Sequence, residues 1–253
     1  MKTWLSVLAT AATIVACDGA TAPSSFRSTV DDSQVPAPQR AAYHEDAARL
    51  ALRDLLAGGY TEISIPNEAV EPYYDALVLV YNAAGLPARD SVVDVYGIHT
   101  FPSPTTRSLL LELFGSEAWV QRLARRELPT GQPTVDSLLA HYALSVESVY
   151  PLSTGNVLLT LGPPEPLNIK ALASLFAGIP GVRFSEPNGF VGDGNDISAT
   201  RGEAILVDYS VGYGDCPAGC TGRRFYHFAV HADGTVDYLG ASGGAPPQPF
   251  PQP

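Results

Sequence analysis

Helix-like and strand-like apolar patterns alternate along this chain of 253 residues. Over residues 47–56, alanine and leucine recur at three- and four-residue spacing, which predicts a helix that ends at the glycines of 58–59. Residues 66–85 predict a second helix. Residues 60–65 alternate as a short strand does, and residues 91–95 fit either a strand or a helix.

A second series of elements follows in the order strand, helical stretch, strand, strand, helix, strand. Ser116 and Thr134 are predicted to cap the two helices of the helical stretch. This is the split β-α-β order of a ferredoxin-like domain, in which an antiparallel sheet carries helices on one face. The segments are residues 106–113, 116–126, 134–142, 145–152, 156–161, 168–177 and 182–185.

Three more alternating segments, residues 204–211, 223–231 and 236–239, predict a β-meander near the C-terminus. We expect this meander to extend the preceding sheet. The predicted class is therefore α+β, with a ferredoxin-like antiparallel sheet, helices on one face, an N-terminal helical pair and a C-terminal β-meander.

The first residues have the pattern of an export signal. Met1 and Lys2 supply a positive start, and residues 4–16 carry no charge. This run is shorter than the roughly 20 residues that a membrane-spanning helix needs. It leads into I-V-A-C at residues 14–17, which resembles the lipobox of bacterial lipoproteins. The resemblance implies cleavage before Cys17 and lipid attached to that cysteine; the alternative is an ordinary cleaved signal with an incidental cysteine.

The chain is predicted to have four parts. These are a lipoprotein signal peptide at residues 1–16, a lipidated cysteine and flexible tether at 17–39, a single composite α+β domain at 40–242, and a disordered proline-rich tail at 243–253. The composite domain divides into a helical part, a ferredoxin-like core and the β-meander, at residues 40–105, 106–188 and 189–242.

Charge narrows the classes of partner. The chain has 26 acidic and 15 basic residues, a formal net charge of −11. A nucleic-acid-binding protein needs a basic surface, so nucleic acid is excluded as a partner. The predicted location is the bacterial cell envelope, with lipid on Cys17 as the attachment. The next residue, Asp18, does not decide which membrane of the envelope carries the protein.

The two remaining cysteines, Cys216 and Cys220, lie in a C-P-A-G-C turn between the first two strands of the meander. Exported proteins fold in an oxidising compartment, where cysteines this close are expected to pair, so the meander is predicted to be clipped by a disulfide. A redox-active pair is one alternative. A zinc site that adds His227 is another, although zinc needs four ligands and a fourth is not evident.

Oxygen-bearing side chains cluster near residue 193, and Asp193, Asn195, Asp196 and Asp215 are weak candidates for calcium ligands. The twelve-residue EF-hand spacing fails, because its last position falls on Ala204 instead of a glutamate. Glycine and asparagine clusters usually form turns, so a tight loop is the preferred interpretation.

His227 is the other weak candidate for a metal or catalytic site. It shares one face of a predicted strand with His231, and exposed strand positions explain both. Ser210, His227 and Asp215 can be combined into a serine–histidine–aspartate triad, but closeness in sequence is not geometry. No catalytic residue, bound metal or cofactor is therefore predicted.

Residues 106–188 resemble the propeptide of subtilisin-type serine proteases, most specifically in P-G-V at 180–182 and E-P-N at 186–188. The resemblance implies a ferredoxin-like fold and peptidase inhibition. The 65 residues that follow are too few to hold a protease.

Nearly the whole mature chain also resembles a set of uncharacterised bacterial envelope lipoproteins. The matching blocks are G-D-G-N-D-I at 192–197, Y-S-V-G-Y-G-D-C-P-A-G-C at 209–220 and R-F-Y-H-F at 224–228. The functional hypothesis is a non-catalytic, membrane-anchored lipoprotein that binds a protein or peptide of the envelope. One alternative is a subtilase-type peptidase inhibitor. The other is a hydrolase or metal-dependent enzyme with a site near Asp193, Asp215 and His227.

We expect Cys17→Ala to release the protein from membranes, because lipid on Cys17 is the predicted anchor. Membrane and soluble fractions of cells expressing each form provide the measurement. A C17A chain that stays in the membrane fraction contradicts the lipobox interpretation.

Overall fold

A computed structural model describes residues 29–246 of the chain. The predicted signal peptide, Cys17 and the first part of the tether lie outside the described residues, and so do residues 247–253 of the predicted tail. Over the described range the chain forms six α-helices and two antiparallel four-stranded sheets. The predicted α+β class is therefore confirmed.

The N-terminal helical pair is longer at its start than predicted. The three helices before the first sheet are α1 (Ala37–Ala57), α2 (Asn67–Asn82) and the short α3 (Pro87–Asp90), which runs into a π-helical turn, Ser91–Val95. Helix α1 begins after Pro36, so the predicted tether continues at most to that residue. Between α1 and α2 the predicted strand is reduced to one bridge, from Ser64 to Leu167.

The first sheet has the strand order β2-β3-β1-β4, with every neighbouring pair antiparallel. This agrees with the split β-α-β order, while the ferredoxin-like label stays a prediction. Its elements are β1 (Leu109–Leu113), α4 (Ala118–Ala124), α5 (Pro133–His141), β2 (Ser145–Pro151), β3 (Val157–Gly162), α6 (Ile169–Ala177) and β4 (Val182–Pro187).

The predicted caps of α4 and α5 are wrong. Helix α4 begins after Glu117 instead of Ser116, with no capping side chain. Helix α5 begins after Gln132, whose Oε1 accepts from the N–H groups of Thr134 and Val135 at 2.6 and 3.1 Å. Proline at 133 has the backbone angle that the first turn of a helix needs, so α5 starts two residues earlier than a Thr134 cap allows.

The helices α4, α5 and α6 cover one face of the first sheet. Alternate residues of the central strands point into this core, among them Leu111 of β1 and Leu159 of β3, and they pack against Phe176 of α6. Ile63, from the connection between α1 and α2, joins the same core. Its carbonyl accepts from the Asn168 N–H at 2.8 Å, which ties the helical pair to the start of α6.

The second sheet is separate from the first, so the expectation that the meander extends the first sheet is wrong. It has four strands in sequential order: β5 (Asp196–Arg201), β6 (Ile205–Tyr213), β7 (Gly222–Val230) and β8 (Val236–Gly243). Its inner residues, including Tyr209 and Phe228, pack on Leu77 of α2. The apolar faces of α1 and α2 give this sheet a partner of its own, so it needs no edge of the first sheet.

Arg53 of α1 joins the two halves of the fold through side-chain donors. Its guanidinium makes a two-point pair with the Asp196 carboxylate, at 3.2 and 3.0 Å, and donates to the Ile197 carbonyl at 2.8 Å. It also donates to the carbonyls of Phe101 and Ser103, at 3.0 and 2.8 Å. One residue thus holds both the start of β5 and the segment 99–107 that leads into β1.

Arg49 lies one turn before Arg53 and is almost fully buried. It donates to Thr100 Oγ1 at 2.6 Å, to the Pro104 carbonyl at 3.2 Å and to Glu45 Oε1 at 2.9 Å. A planar guanidinium group has five N–H donors, so one arginine can serve all three acceptors.

Asp46, also on α1, is 2 % exposed. Its carboxylate accepts from the Thr100 N–H at 2.8 Å and contacts His99 Nδ1 at 2.6 Å. This hydrogen bond raises the pKa of His99 against the opposing effect of its partial burial. The segment 99–107 is therefore fixed to α1 by the Asp46 carboxylate and by the Arg49 guanidinium.

We expect Arg49→Met to lower the free energy of unfolding by about 3 to 5 kcal/mol, because it removes a partner from the buried Asp46 carboxylate and from the partly buried Glu45 carboxylate. Urea denaturation measures this loss. The matched control is Arg125→Met, which removes an exposed ion pair to Glu127 and should leave the midpoint unchanged. Equal midpoints for the two variants contradict the structural role of Arg49.

Candidate functional site

The C-P-A-G-C turn is closed by a disulfide between Cys216 and Cys220, as predicted. Residues Cys216–Ala218 form a single 3-10 turn at the end of the β6–β7 hairpin. The glycine-rich loop before β5 packs directly on it. A Cβ at Gly192 would lie 3.0 Å from the Cys216 carbonyl oxygen, and a Cβ at Gly212 would collide with Cys220 Sγ. Both glycines are therefore required by this close approach.

Asp193 fastens that loop to the turn. Its N–H donates to the Cys216 carbonyl at 2.9 Å, its carboxylate accepts from the Gly194 N–H at 2.8 Å, and it pairs with the Arg223 guanidinium. The hydrogen bond from Arg223 lowers the pKa of Asp193. The carboxylate is thus engaged by this chain's own donors.

The other weak metal candidates are held apart in the same way. Asp196 is paired with Arg53 and also accepts from the Phe101 N–H at 2.6 Å. Asn195 Oδ1 accepts from the Gly212 N–H at 3.2 Å, and Asp215 is exposed. Among residues 29–246, no group of three or more His, Cys, Asp or Glu side chains is placed to hold a metal ion.

His227 lies away from this loop, on the outer face of the second sheet. Arg223, which reaches Asp193, is four residues earlier on β7, about 13 Å at 3.3 Å per strand residue. The loop and the C-P-A-G-C turn therefore converge, but not beside His227. The alternative of a site that joins Asp193, Asp215 and His227 therefore gains no support from this geometry.

Instead, His227 bridges two residues that the sequence analysis did not combine. Its Nδ1 lies 2.7 Å from Asp208 Oδ1, and its Nε2 lies 2.8 Å from Ser242 Oγ. A carboxylate oxygen accepts only, so Nδ1–H donates to Asp208 and leaves Nε2 as acceptor for the Ser242 hydroxyl. The order aspartate–histidine–serine and both distances are those of a nucleophile, its base and the group that orients the base.

Strand register produces this arrangement. Asp208 of β6 is directly opposite His227 of β7, on the outer face. On β8 the register shifts between Tyr238 and Gly240, the partner of His227, so that Leu239 is left unpaired and Ser242 lies diagonally across from the imidazole. A bulge of this kind re-aims side chains across a sheet.

The triad drawn from Ser210, His227 and Asp215 is wrong. Ser210 is buried, its hydroxyl donates to the Asp196 carbonyl at 3.1 Å, and it accepts from Arg223 at 2.7 Å. The sequence did contain a signal for Asp208. Residues at similar distances on the two sides of a hairpin turn face each other, and Asp208 and His227 are ten residues before and nine residues after Ala218. Ser242 carried no such signal, because the bulge shifts its register.

A second exposed feature is the face of the first sheet that no helix of the described range covers. We call it the open face. One row across the strands is Tyr150, Leu158, Glu112 and Phe184. The next row is Ser148, Thr160, Leu110 and Glu186.

Its two outer strands carry exposed aromatic side chains. Tyr150 on β2 is 65 % exposed and Phe184 on β4 is 37 % exposed. Between them, buried Glu112 accepts from Asn156 at 2.6 Å and pairs with Arg183, contacts that lower its pKa. The open face therefore has an apolar row whose one central charge is already neutralised.

Two surface depressions lie elsewhere. One of about 230 Å³ is lined by Leu128, Pro129, Asp136, Leu139 and Ala140. Another of about 450 Å³ lies between the end of α2 and the β7–β8 turn. Neither carries a cluster of reactive side chains. No helix within residues 29–246 combines the length and the apolar character needed to cross a membrane.

Comparisons with protein-family models, with curated proteins and with solved structures found no match to this chain.

Proposed function

We propose that this chain is a lipid-anchored protein of the bacterial envelope that binds another protein through the open face of its first sheet. The observation that carries the proposal is the exposed aromatic row of that face. Monomeric proteins seldom leave such residues aligned on an uncovered sheet without a use. Lipid on Cys17, outside the described residues, supplies the proposed anchor.

The row supports a protein partner because of where its aromatic residues stand. Tyr150 is beside Leu158 at one edge of the row, and Phe184 is beside the paired Glu112 at the other, so both edges of the sheet offer an aromatic contact. Aromatic side chains dominate binding energy at protein interfaces, since they bury a large area with little conformational freedom to lose. The polar residues of the next row, Ser148 and Thr160, are hydrogen-bonded to each other at 2.7 Å.

Charge at the rim defines the partner further. Glu186 ends the second row, and the Glu147 side chain lies over Gly162 on the same face. Both are exposed carboxylates, and the whole chain is acidic. The partner that fits is a folded protein with an apolar contact surface bordered by lysine or arginine.

Inhibition of a subtilisin-type peptidase is a second candidate for the same face. The strand order β2-β3-β1-β4 favours it, because the propeptide resemblance of residues 106–188 implies a ferredoxin-like sheet. A peptidase would then be the bound protein.

We expect a photo-cross-linking phenylalanine analogue at position 150 or 184 to capture the same protein in intact cells. The analogue at position 238, an aromatic site of similar exposure on the second sheet, is the matched control. The purified partner should bind Phe184→Ala roughly tenfold more weakly than it binds the natural chain. Its affinity for the natural chain should also fall as the salt concentration is raised.

Capture that is equally strong from position 238, or no change in affinity for F184A, contradicts the proposal. If the captured protein is a peptidase that loses activity in proportion to the bound chain, the inhibitor form is supported.

A further inference from the structure

We infer that Ser242 is a nucleophile that accepts acyl groups from small activated esters, with His227 as its base and Asp208 as the positioning residue. This inference rests on a different sheet from the proposed binding face and does not depend on it. It uses three side chains that come from three adjacent strands, β6, β7 and β8.

The geometry meets the two requirements for activating a hydroxyl. The base must reach the hydroxyl proton, and His227 Nε2 is 2.8 Å from Ser242 Oγ. The base must also hold its lone pair at that nitrogen, and the hydrogen bond from Nδ1–H to Asp208, at 2.7 Å, selects this tautomer.

Packing fixes the imidazole plane as well. The ring of Phe225 stacks on that of His227, with centroids 6.1 Å apart and planes 10° from parallel. Phe225 is directly opposite Ser242 in the β7–β8 pairing. The same ring therefore restrains the base and offers an apolar contact beside the nucleophile.

The chemical step balances with ester and water alone. Ser242 Oγ bonds to the acyl carbon as His227 Nε2 takes its proton, and the bond from that carbon to the leaving oxygen then breaks. The imidazolium returns the proton to the departing alcohol or phenol. Water repeats the sequence on the acyl-serine and releases the acid.

Exposure defines the substrate class. Ser242 is on the sheet surface and the side chain of His227 is 31 % exposed, so the site accepts a group presented from solvent. Esters with a phenolic leaving group fit best, because their departure demands little stabilisation of developing charge.

The chain contains its own comparison for this site. His231 Nε2 lies 3.0 Å from Asp237, which makes a histidine–aspartate pair on the same hairpin. The contact of this imidazole is with a carboxylate and not with a serine, so the pair tests whether histidine and aspartate are sufficient by themselves.

The test treats the full chain with a fluorescent fluorophosphonate and with p-nitrophenyl acetate. We expect one label per chain, located on Ser242 by peptide mass spectrometry, and none in Ser242→Ala. His227→Gln should react about 100-fold more slowly, the usual contribution of a general base. Ser198→Ala, on the same sheet, and His231→Gln, in the turn after β7, should react like the natural chain.

A spectroscopic measurement separates positioning from mere structure. The ¹⁵N resonances of His227 should show Nδ1–H in the natural chain and lose that preference in Asp208→Asn, whose circular dichroism stays unchanged. Label on other residues, equal rates for H227Q and the natural chain, or an Nε2–H tautomer in the natural chain each overturn the inference.

Discussion

Two arginines of α1, one helical turn apart, hold the segment on which the arrangement of both sheets depends. Arg49 and Arg53 direct their donors at the carbonyl and hydroxyl groups of residues 99–107. Buried carboxylates and carbonyls raise the free energy of the fold when they lack partners. These hydrogen bonds therefore fix the position of residues 99–107 on α1. That path delivers the chain to β1 on one side and fixes Asp196, the first residue of β5, on the other.

The positions of the functional candidates follow from this constraint. With β5 placed by Arg53, the loop before it meets the C-P-A-G-C turn, and Asp193 and Arg223 close that contact. The disulfide therefore belongs to the framework of the second sheet. It leaves the outer face of β6, β7 and β8 free to present Asp208, His227 and Ser242. The first sheet, anchored through Ile63 and Asn168, keeps its open face.

Local patterns in the sequence predicted most helices and strands, because apolar periodicity depends on neighbouring residues. Strand β5 was missed, since its polar residues make sense only beside β6. The separation of the two sheets was missed for a similar reason. It depends on the packing of the second sheet against the apolar faces of α1 and α2, which are distant in sequence. Ser242 was not predictable, because the unpaired Leu239 shifts the register by one residue.

Amide hydrogen exchange tests most directly whether the α1 arginines join the two sheets into one cooperative unit. The slowest amides of β1 and β3 should open with the same free energy as those of β6 and β7, because neither sheet unfolds while residues 99–107 remain fixed to α1. Two distinct opening free energies, one for each sheet, would contradict the account.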